Sequence, residues 1–497
     1  MTRSSHSPER LPLLAGAVFL AVTFCHFVAL PILITWDGHD YVDLAGVLGS
    51  ARFPRDWRPI RAPLFPLGLK LSFAVFGRGP LAAELVPLAM AVLGCLLLAS
   101  SVRRVAGSRA AAAVLAVLAL YPTLIVYEHA VLTETGTFCF LALALRLSLW
   151  RPATSSAAWK KAASLGLALG AGYCWRQTIL MLAPWFALLH LLPVRPLFKV
   201  GRRGWIAGLQ ALLVAALPWG IAHLWARQLD PQQLARLNAI VLRSFVIRQA
   251  VIPPTDARVA QVRDKYQAAI AAAERQGFLS GIPWPQVGPI ADQVAPPAPE
   301  EGALRWLATV VREYPGRYAA AVGRSLVFCV GFDAAENEIR ATRDLVLSPT
   351  ARTAQIAEGR EPIAARHRRE FAQSTEPGLV RRGLGWLGPI FDWIVIVCNL
   401  VTALLLVVSL VRRDLGLLAL SGTPVLFAVG HAVALLSINR LMVPIYPITL
   451  ACGLVALFRL GRRLRAARVS GRASASGGEP SGTPPPQPAA PPSAARA

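Results

Sequence analysis

The chain has 497 residues, of which 55% are hydrophobic and only 16% are charged. A soluble domain carries about a quarter charged residues, so this composition excludes a soluble protein and predicts a polytopic membrane protein. The formal net charge is +24, but the basic residues are spread between apolar runs. Such spacing indicates membrane topology and contact with anionic lipid rather than nucleic acid.

Apolar runs along the chain predict an all-α membrane fold with about ten helices that enter the bilayer. The pair 161–192 is interrupted by Trp175-Arg176-Gln177, and each half is short for a full span. The runs cover residues 11–35, 80–102, 110–127, 131–149, 161–176, 177–192, 205–225, 386–411, 415–437 and 441–459.

The connectors between these runs predict the orientation of the chain. Several are rich in arginine or lysine and belong in the cytoplasm with both termini, whereas the connector 128–134 has two glutamates and no basic residue. Loops 36–79, 128–134, 226–385 and 438–440 are therefore expected outside. Segment 61–77 is apolar but short, and we expect a re-entrant or interfacial helix there.

These assignments divide the chain into five parts. The large outer loop contains helical patterns at 256–275 and 304–314, and its apolar stretch 318–332 is expected to lie at the membrane interface. The parts are a cytoplasmic N-terminus (1–10), an N-terminal membrane module (11–225), an extracytoplasmic loop domain (226–385), C-terminal membrane helices (386–460), and a basic, then disordered, cytoplasmic tail (461–497).

Two acidic segments are the candidates for chemistry on the outer face. The first contains Asp37, His39 and Asp40, and the second contains Glu128, His129 and Glu134. A charged side chain at the bilayer centre costs ~2.5–3.5 kcal/mol and less near the surface, so such a group needs a partner or a task. The alternative is that these acids only solvate helix ends, with Thr133 and Glu134 capping the helix that follows.

Two chemical hypotheses fit these residues. Asp37 could act as a general base toward an acceptor hydroxyl. A divalent metal ion could instead bind through Asp37, His39, His129 or Glu134, with Asp40 and Glu128 as further metal or acceptor candidates. The spacing matches no compact metal motif.

Three arginines, Arg61, Arg176 and Arg440, are expected on the same outer face. A guanidinium binds phosphate through two parallel hydrogen bonds, so these residues are candidates for a lipid phosphate. The alternative for Arg61 and Arg440 is that they reach the interface as ordinary helix-end residues. The chain has no Walker loop, G-x-G-x-x-G, nucleophile elbow or HExxH motif.

Four short motifs together resemble the GT-C superfamily of membrane glycosyltransferases, in the bacterial branch related to protein mannosyltransferases and the aminoarabinose transferase. Two positions depart from the family pattern: Gly38 stands where a second acid is common, and Gln177 stands where proline usually follows the arginine. The motifs are Asp37-x-x-x-Tyr41-x-x-x-Ala45, Arg61-x-Pro63-x-x-Pro66, Pro122 followed by Leu132-Thr133-Glu134, and Arg440 followed by Pro444 and Pro447.

The resemblance implies an inverting hexosyl- or pentosyltransferase of the bacterial inner membrane that uses a polyprenyl-phosphate-linked sugar. Asp37 would be the catalytic acid or base, assisted by Glu134. Arg61, Arg176 and Arg440 would bind the lipid phosphate, and the acceptor would be a glycan, a lipid or a protein. The competing hypotheses are a transporter or lipid flippase, for which no inverted repeat is evident, and a non-catalytic membrane partner.

Overall fold

The computed structural model describes residues 10–58, 61–192, 202–275, 281–294, 303–330, 342–343, 346–347, 378–434 and 439–475. Within these ranges the chain forms helices, turns and one isolated parallel β-bridge between Leu33 and Ala130. The predicted all-α class is therefore confirmed.

The N-terminal half contains ten α-helices, one of which begins after a 3-10 helix at Gln177–Leu182. They are α1 (Arg10–Ala29), α2 (Trp36–Val47), α3 (Leu64–Phe76), α4 (Pro80–Ala106), α5 (Ser108–Ala119), α6 (Pro122–Glu128), α7 (Glu134–Ser148), α8 (Ser155–Trp175), α9 (Ala183–Leu191) and α10 (Arg202–Ala226).

The expected number of about ten helices that enter the membrane is not confirmed. Among the described residues, five helices are long and apolar enough, and a sixth span arises if α5 and α6 form one bent crossing. The 66° bend between them falls at Tyr121-Pro122, because proline cannot donate the backbone hydrogen bond that would continue α5. The 13-residue α3 is too short for a full span, and its re-entrant placement stays a prediction.

Glycines allow the N-terminal helices to pack closely. A Cβ added at Gly94 of α4 would lie 2.7 Å from the Phe138 ring of α7. A Cβ at Gly136 would lie 1.9 Å from Cε2 of Trp175, at the end of α8. Helices in lipid associate through close van der Waals packing, because there is no hydrophobic driving force between them. Small residues at the contacts allow that close packing.

Among the described residues, the segment 226–385 contains five α-helices with an apolar core of their own. The helical patterns predicted at 256–275 and 304–314 are confirmed, the first as a 3-10 turn followed by a helix. The helices are α11 (Pro231–Arg248), α12 (Arg263–Arg275), α13 (Trp284–Ala291), α14 (Ala303–Glu313) and α15 (Pro315–Cys329). Their apolar faces bury residues that include Val246, Tyr266, Ile290 and Val310.

The C-terminal helices are α16 (Leu379–Arg412), α17 (Leu415–Val433) and α18 (Tyr446–Ala475). Arg343, from the end of the outer loop, binds both carboxylate oxygens of Asp392 in α16 at 2.8 and 3.1 Å. Helix α18 continues through the start of the basic tail, which differs from the expectation that residues 471–475 are disordered. The rest of that expected disordered tail, 476–497, lies outside the described residues.

Gly136→Ala should lower stability by about 1–3 kcal/mol, because the new methyl group would overlap the Trp175 ring. Thermal unfolding of the purified protein in detergent measures the change. Gly208→Ala in α10 is the matched control, since a Cβ there meets no atom within 4 Å. Equal stability of the two variants would contradict this packing.

The acid stability of the loop segment 226–385 is expected to depend on Asp256. Hydrogen bonds from the Arg258 guanidinium, with one from the Tyr314 hydroxyl, lower the pKa of Asp256 from 3.8 to about 2. Because the folded pKa is depressed, this stabilisation is present above the unfolded pKa and is lost as the pH falls through the folded value.

Asp256→Asn should therefore destabilise the loop at neutral pH and weaken its acid dependence between about pH 4 and pH 2. Limited proteolysis of the full chain across this pH range measures loop stability. Asp264→Asn, at an exposed carboxylate of the same loop, should behave like the wild type. A wild-type acid profile in Asp256→Asn would contradict the assigned role.

Candidate active site

The first acidic segment forms a helix rather than the expected loop. Helix α2 begins at Trp36, and the Thr35 side chain caps it by accepting a hydrogen bond from the Gly38 N–H at 3.2 Å. Threonine is a favoured capping residue, and Asp37 in the first turn suits the helix dipole. These local signals correct the loop prediction and fix the direction of the Asp37 side chain.

Asp37, Asp40 and Tyr41 lie three and four residues apart and share one face of α2. Arg61 contacts all three. Its Nη2 donates to Asp37 Oδ1 and, at 3.1 Å, to Asp40 Oδ2, while its Nη1 donates to the Tyr41 hydroxyl at 3.2 Å. The guanidinium carbon also lies 4.8 Å from the centre of the Tyr41 ring. The two first motifs of the predicted family pattern therefore meet in one cluster.

This Arg61 cluster is largely shielded from solvent, since the Arg61 side chain is only 15% exposed. Burial disfavours its charge, but Tyr41, Asp37 and Asp40 raise the pKa of Arg61 above its usual value, so it stays protonated. Arg58, which is more exposed, forms a second ion pair with Asp40. Two carboxylates are thus balanced by two guanidinium groups.

A backbone bridge places α2 beside the second acidic segment. The Leu33 N–H donates to His129 O at 2.8 Å, and the Val131 N–H donates to Leu33 O at 2.9 Å. A Cβ at Gly38 would lie 2.9 Å from Val131 O. The missing second acid of the family pattern thus has a steric cause, because a side chain at position 38 would meet this backbone.

Glu134 and Arg176 form a separate ion pair, at 3.1 Å, with the glutamate side chain only 1% exposed. Arg176 reaches it because α8 ends at Trp175 and the backbone of Arg176 is extended before the 3-10 helix begins. The predicted capping role of Thr133 is wrong, since its side chain makes no capping hydrogen bond. Its hydroxyl instead accepts from Arg176 at 3.1 Å.

A row of aromatic rings connects the two ion-pair clusters. The Tyr41 ring packs edge-on against Phe65 at 4.9 Å, and Phe65 lies 5.0 Å from Trp175. The Trp175 indole N–H donates to the Thr133 carbonyl at 2.9 Å. Motif residues far apart in the chain are therefore held in one packed unit.

The structure adds one acidic residue that the sequence patterns missed. His129 Nδ1 lies 2.5 Å from Glu84 Oε1 of α4, and both side chains are buried. Glu128 is buried nearby in α6. A lone carboxylate in the second turn of an apolar helix was the available signal for Glu84, because such groups need a partner at membrane depth.

The described residues do not form a set of ligands for the hypothesised metal ion. Across the described residues, no three His, Cys, Asp or Glu side chains come close enough together to hold an ion. His39 is buried in α2, away from any such group. Arg440 lies in a 3-10 helix at Asn439–Met442, and its side chain falls outside the described residues.

Residues 60–221 match the family model described as dolichyl-phosphate-mannose-protein mannosyltransferase. This match confirms the resemblance to GT-C membrane glycosyltransferases. The matched segment contains Arg61, Glu84, Glu134 and Arg176. No curated protein matches the chain.

Two solved structures of ArnT from Cupriavidus metallidurans are similar to this chain, one in the apo state and one bound to undecaprenyl phosphate. Each is 15% identical and covers 88% of this chain and 77% of its own, with TM-scores of 0.37 and 0.36.

Arg61→Gln should lower stability by about 1–3 kcal/mol, because it leaves Asp37 and Asp40 facing each other without their shared cation. Thermal unfolding in detergent measures this. Arg52→Gln is the control, since the Arg52–Asp56 pair on the same segment is exposed and should contribute little to stability. Similar losses in both variants would argue against a structural cluster around Arg61.

Proposed function

We propose that the protein transfers a sugar from a polyprenyl-phosphate-linked donor to an acceptor at the extracytoplasmic face of the bacterial inner membrane, with inversion at the anomeric carbon. The observation that carries this proposal is the Arg61 cluster. A carboxylate on a capped helix is held by a guanidinium in the segment where the family model matches. Such a pairing combines a candidate base with a candidate phosphate ligand.

In the proposed reaction, Asp37 accepts the proton of an acceptor hydroxyl as its oxygen attacks the anomeric carbon. The bond between that carbon and the lipid phosphate oxygen breaks, and polyprenyl phosphate leaves with the bonding electrons. One displacement inverts the configuration. The contact with Arg61 would hold the Asp37 carboxylate in one orientation, which is a large part of what an enzyme contributes to such a step.

Arg61, with Arg58 beside it, would bind the donor phosphate, where charge develops as the bond breaks. Arg176, which the resemblance assigns to the lipid phosphate, is paired with buried Glu134. We therefore assign it instead, with Glu134, to positioning the acceptor. Arg440 remains a candidate phosphate ligand. No step requires a metal ion, and the sugar class, hexose or pentose, and the acceptor class, glycan, lipid or protein, are left to experiment.

The proposed topology follows from the distribution of charge. Both termini lie in the cytoplasm, and the loop domain 226–385 lies outside with the acidic segments, as the positive-inside rule predicts. The five-part domain division given above belongs to this proposal. A transporter or flippase is the alternative, but no feature of the described residues favours it.

Asp37→Asn should reduce sugar transfer at least about 100-fold, because general acid–base groups contribute ~10²–10⁴ in rate. The assay follows radiolabelled sugar from synthetic polyprenyl-phosphate hexose or pentose donors into membrane glycolipid, glycan and protein fractions. Asp56→Asn is the control, since the ion pairs of that carboxylate are with the exposed Arg52 and Arg55.

Full transfer by Asp37→Asn at normal expression would reject Asp37 as the base. Absence of transfer by the wild type with every donor, together with lipid translocation in vesicles, would favour the flippase alternative. Glu134→Gln should reduce transfer less than Asp37→Asn, because Glu134 is assigned to positioning rather than to the proton transfer.

A further inference from the structure

A cavity lies at the end of α4 that is opposite the acidic segments. It has a volume of about 480 Å³ and lies where the turn between α4 and α5 meets α18. Glu84 and Ala106 are separated by six turns of α4, or about 33 Å, so this cavity is distant from the acidic segments. Its lining includes Ser108, Arg109, Leu457, Phe458, Arg462 and Arg465.

The charge of this cavity is entirely positive. Arg109, Arg462 and Arg465 line it together with backbone and apolar groups, and no acidic side chain is among the lining residues. In the part of the chain that the structure describes, none of the three forms an ion pair. Arg459, one turn earlier on α18, differs because it pairs with Asp414 at 2.6 Å.

The Arg462 guanidinium is fixed in place. Its Nη2 donates to the Ala106 carbonyl at 2.5 Å, which ties α18 to the end of α4. One donor is used in this way, while the group has five in total. The unneutralised charges of three arginines around one cavity favour an anion, and phosphate matches the guanidinium fork.

The cavity wall also has an apolar side. Leu457 is 65% exposed on α18, and Phe458 lies next to it on the wall. Helix α4 (Pro80–Ala106), which ends at the cavity, is long and apolar enough to cross a membrane and carries Arg103 and Arg104 in its last turn. Basic residues at the end of such a helix lie at the membrane interface, so the cavity beside Ala106 is at head-group depth.

We infer that this cavity binds the phosphate head group of an anionic phospholipid, with the acyl chains against Leu457 and Phe458. The inference is independent of the proposed transferase activity, since it uses neither acidic segment. Basic pockets between membrane helices bind anionic head groups by the same combination of charge and apolar wall. The lipid would stabilise the junction of α4, α5 and α18 from the side opposite the active site.

Purified full-length protein is tested with phosphatidylglycerol and phosphatidylcholine at equal concentration, with retained lipid counted by native mass spectrometry and unfolding followed thermally. Phosphatidylglycerol should be retained and should raise the unfolding temperature, and phosphatidylcholine should do neither. Arg109→Gln combined with Arg465→Gln should weaken phosphatidylglycerol binding about tenfold or more, as expected for two lost charges at a head-group site. Both changes leave the Arg462 bond to Ala106 intact.

Arg463→Gln combined with Arg468→Gln is the matched control, since it removes two exposed charges from α18 outside the cavity. This pair should change binding less than about threefold. Equal weakening in both double variants would overturn the inference in favour of diffuse surface charge. Stabilisation by excess inorganic phosphate as strong as that by phosphatidylglycerol would overturn the lipid assignment.

Discussion

The candidate site depends on a short stretch of backbone pairing between two segments that are nearly a hundred residues apart. The two hydrogen bonds between Leu33 and the 129–131 backbone set α2 against the start of α7. Such pairing also satisfies backbone groups between helices, where lipid offers no alternative partner. Gly38 makes the close approach possible, and the residue that departs from the family pattern is thus explained by the packing that builds the site.

Charged side chains are paired at three places in this part of the molecule. Asp37 and Asp40 share Arg61, Glu134 has Arg176, and Glu84 has His129. Removing one member of a buried pair leaves the other without compensation, which costs far more than the pair contributes. The same residues are therefore needed for folding and are suited to chemistry, and stability and transfer must be measured separately for each variant.

Interrupted helices supply the functional side chains. Pro122 bends the α5–α6 crossing by 66°, and the extended backbone at Arg176 separates α8 from α9. At each break, backbone and side-chain polar groups lie within an otherwise apolar region. A continuous helix would bond its own backbone groups and direct only side chains there. At the opposite end of α4, arginines of α5 and α18 line a cavity that has no acidic side chain among its lining residues.

The sequence by itself determined the membrane class, the all-α fold, the break at Trp175-Arg176-Gln177 and the family resemblance, because apolar length, proline and motif order are local properties. It identified Asp37, Arg61, Glu134 and Arg176 as candidate site residues. It predicted a loop after Thr35, where the structure has a helix that Thr35 caps. Only the tertiary structure decided that Arg61 binds Asp37, that Glu134 faces Arg176, and that Glu84 meets His129. Those pairings depend on how closely the glycines let separate helices approach. The distance between two helices cannot be read from the order of residues in the sequence.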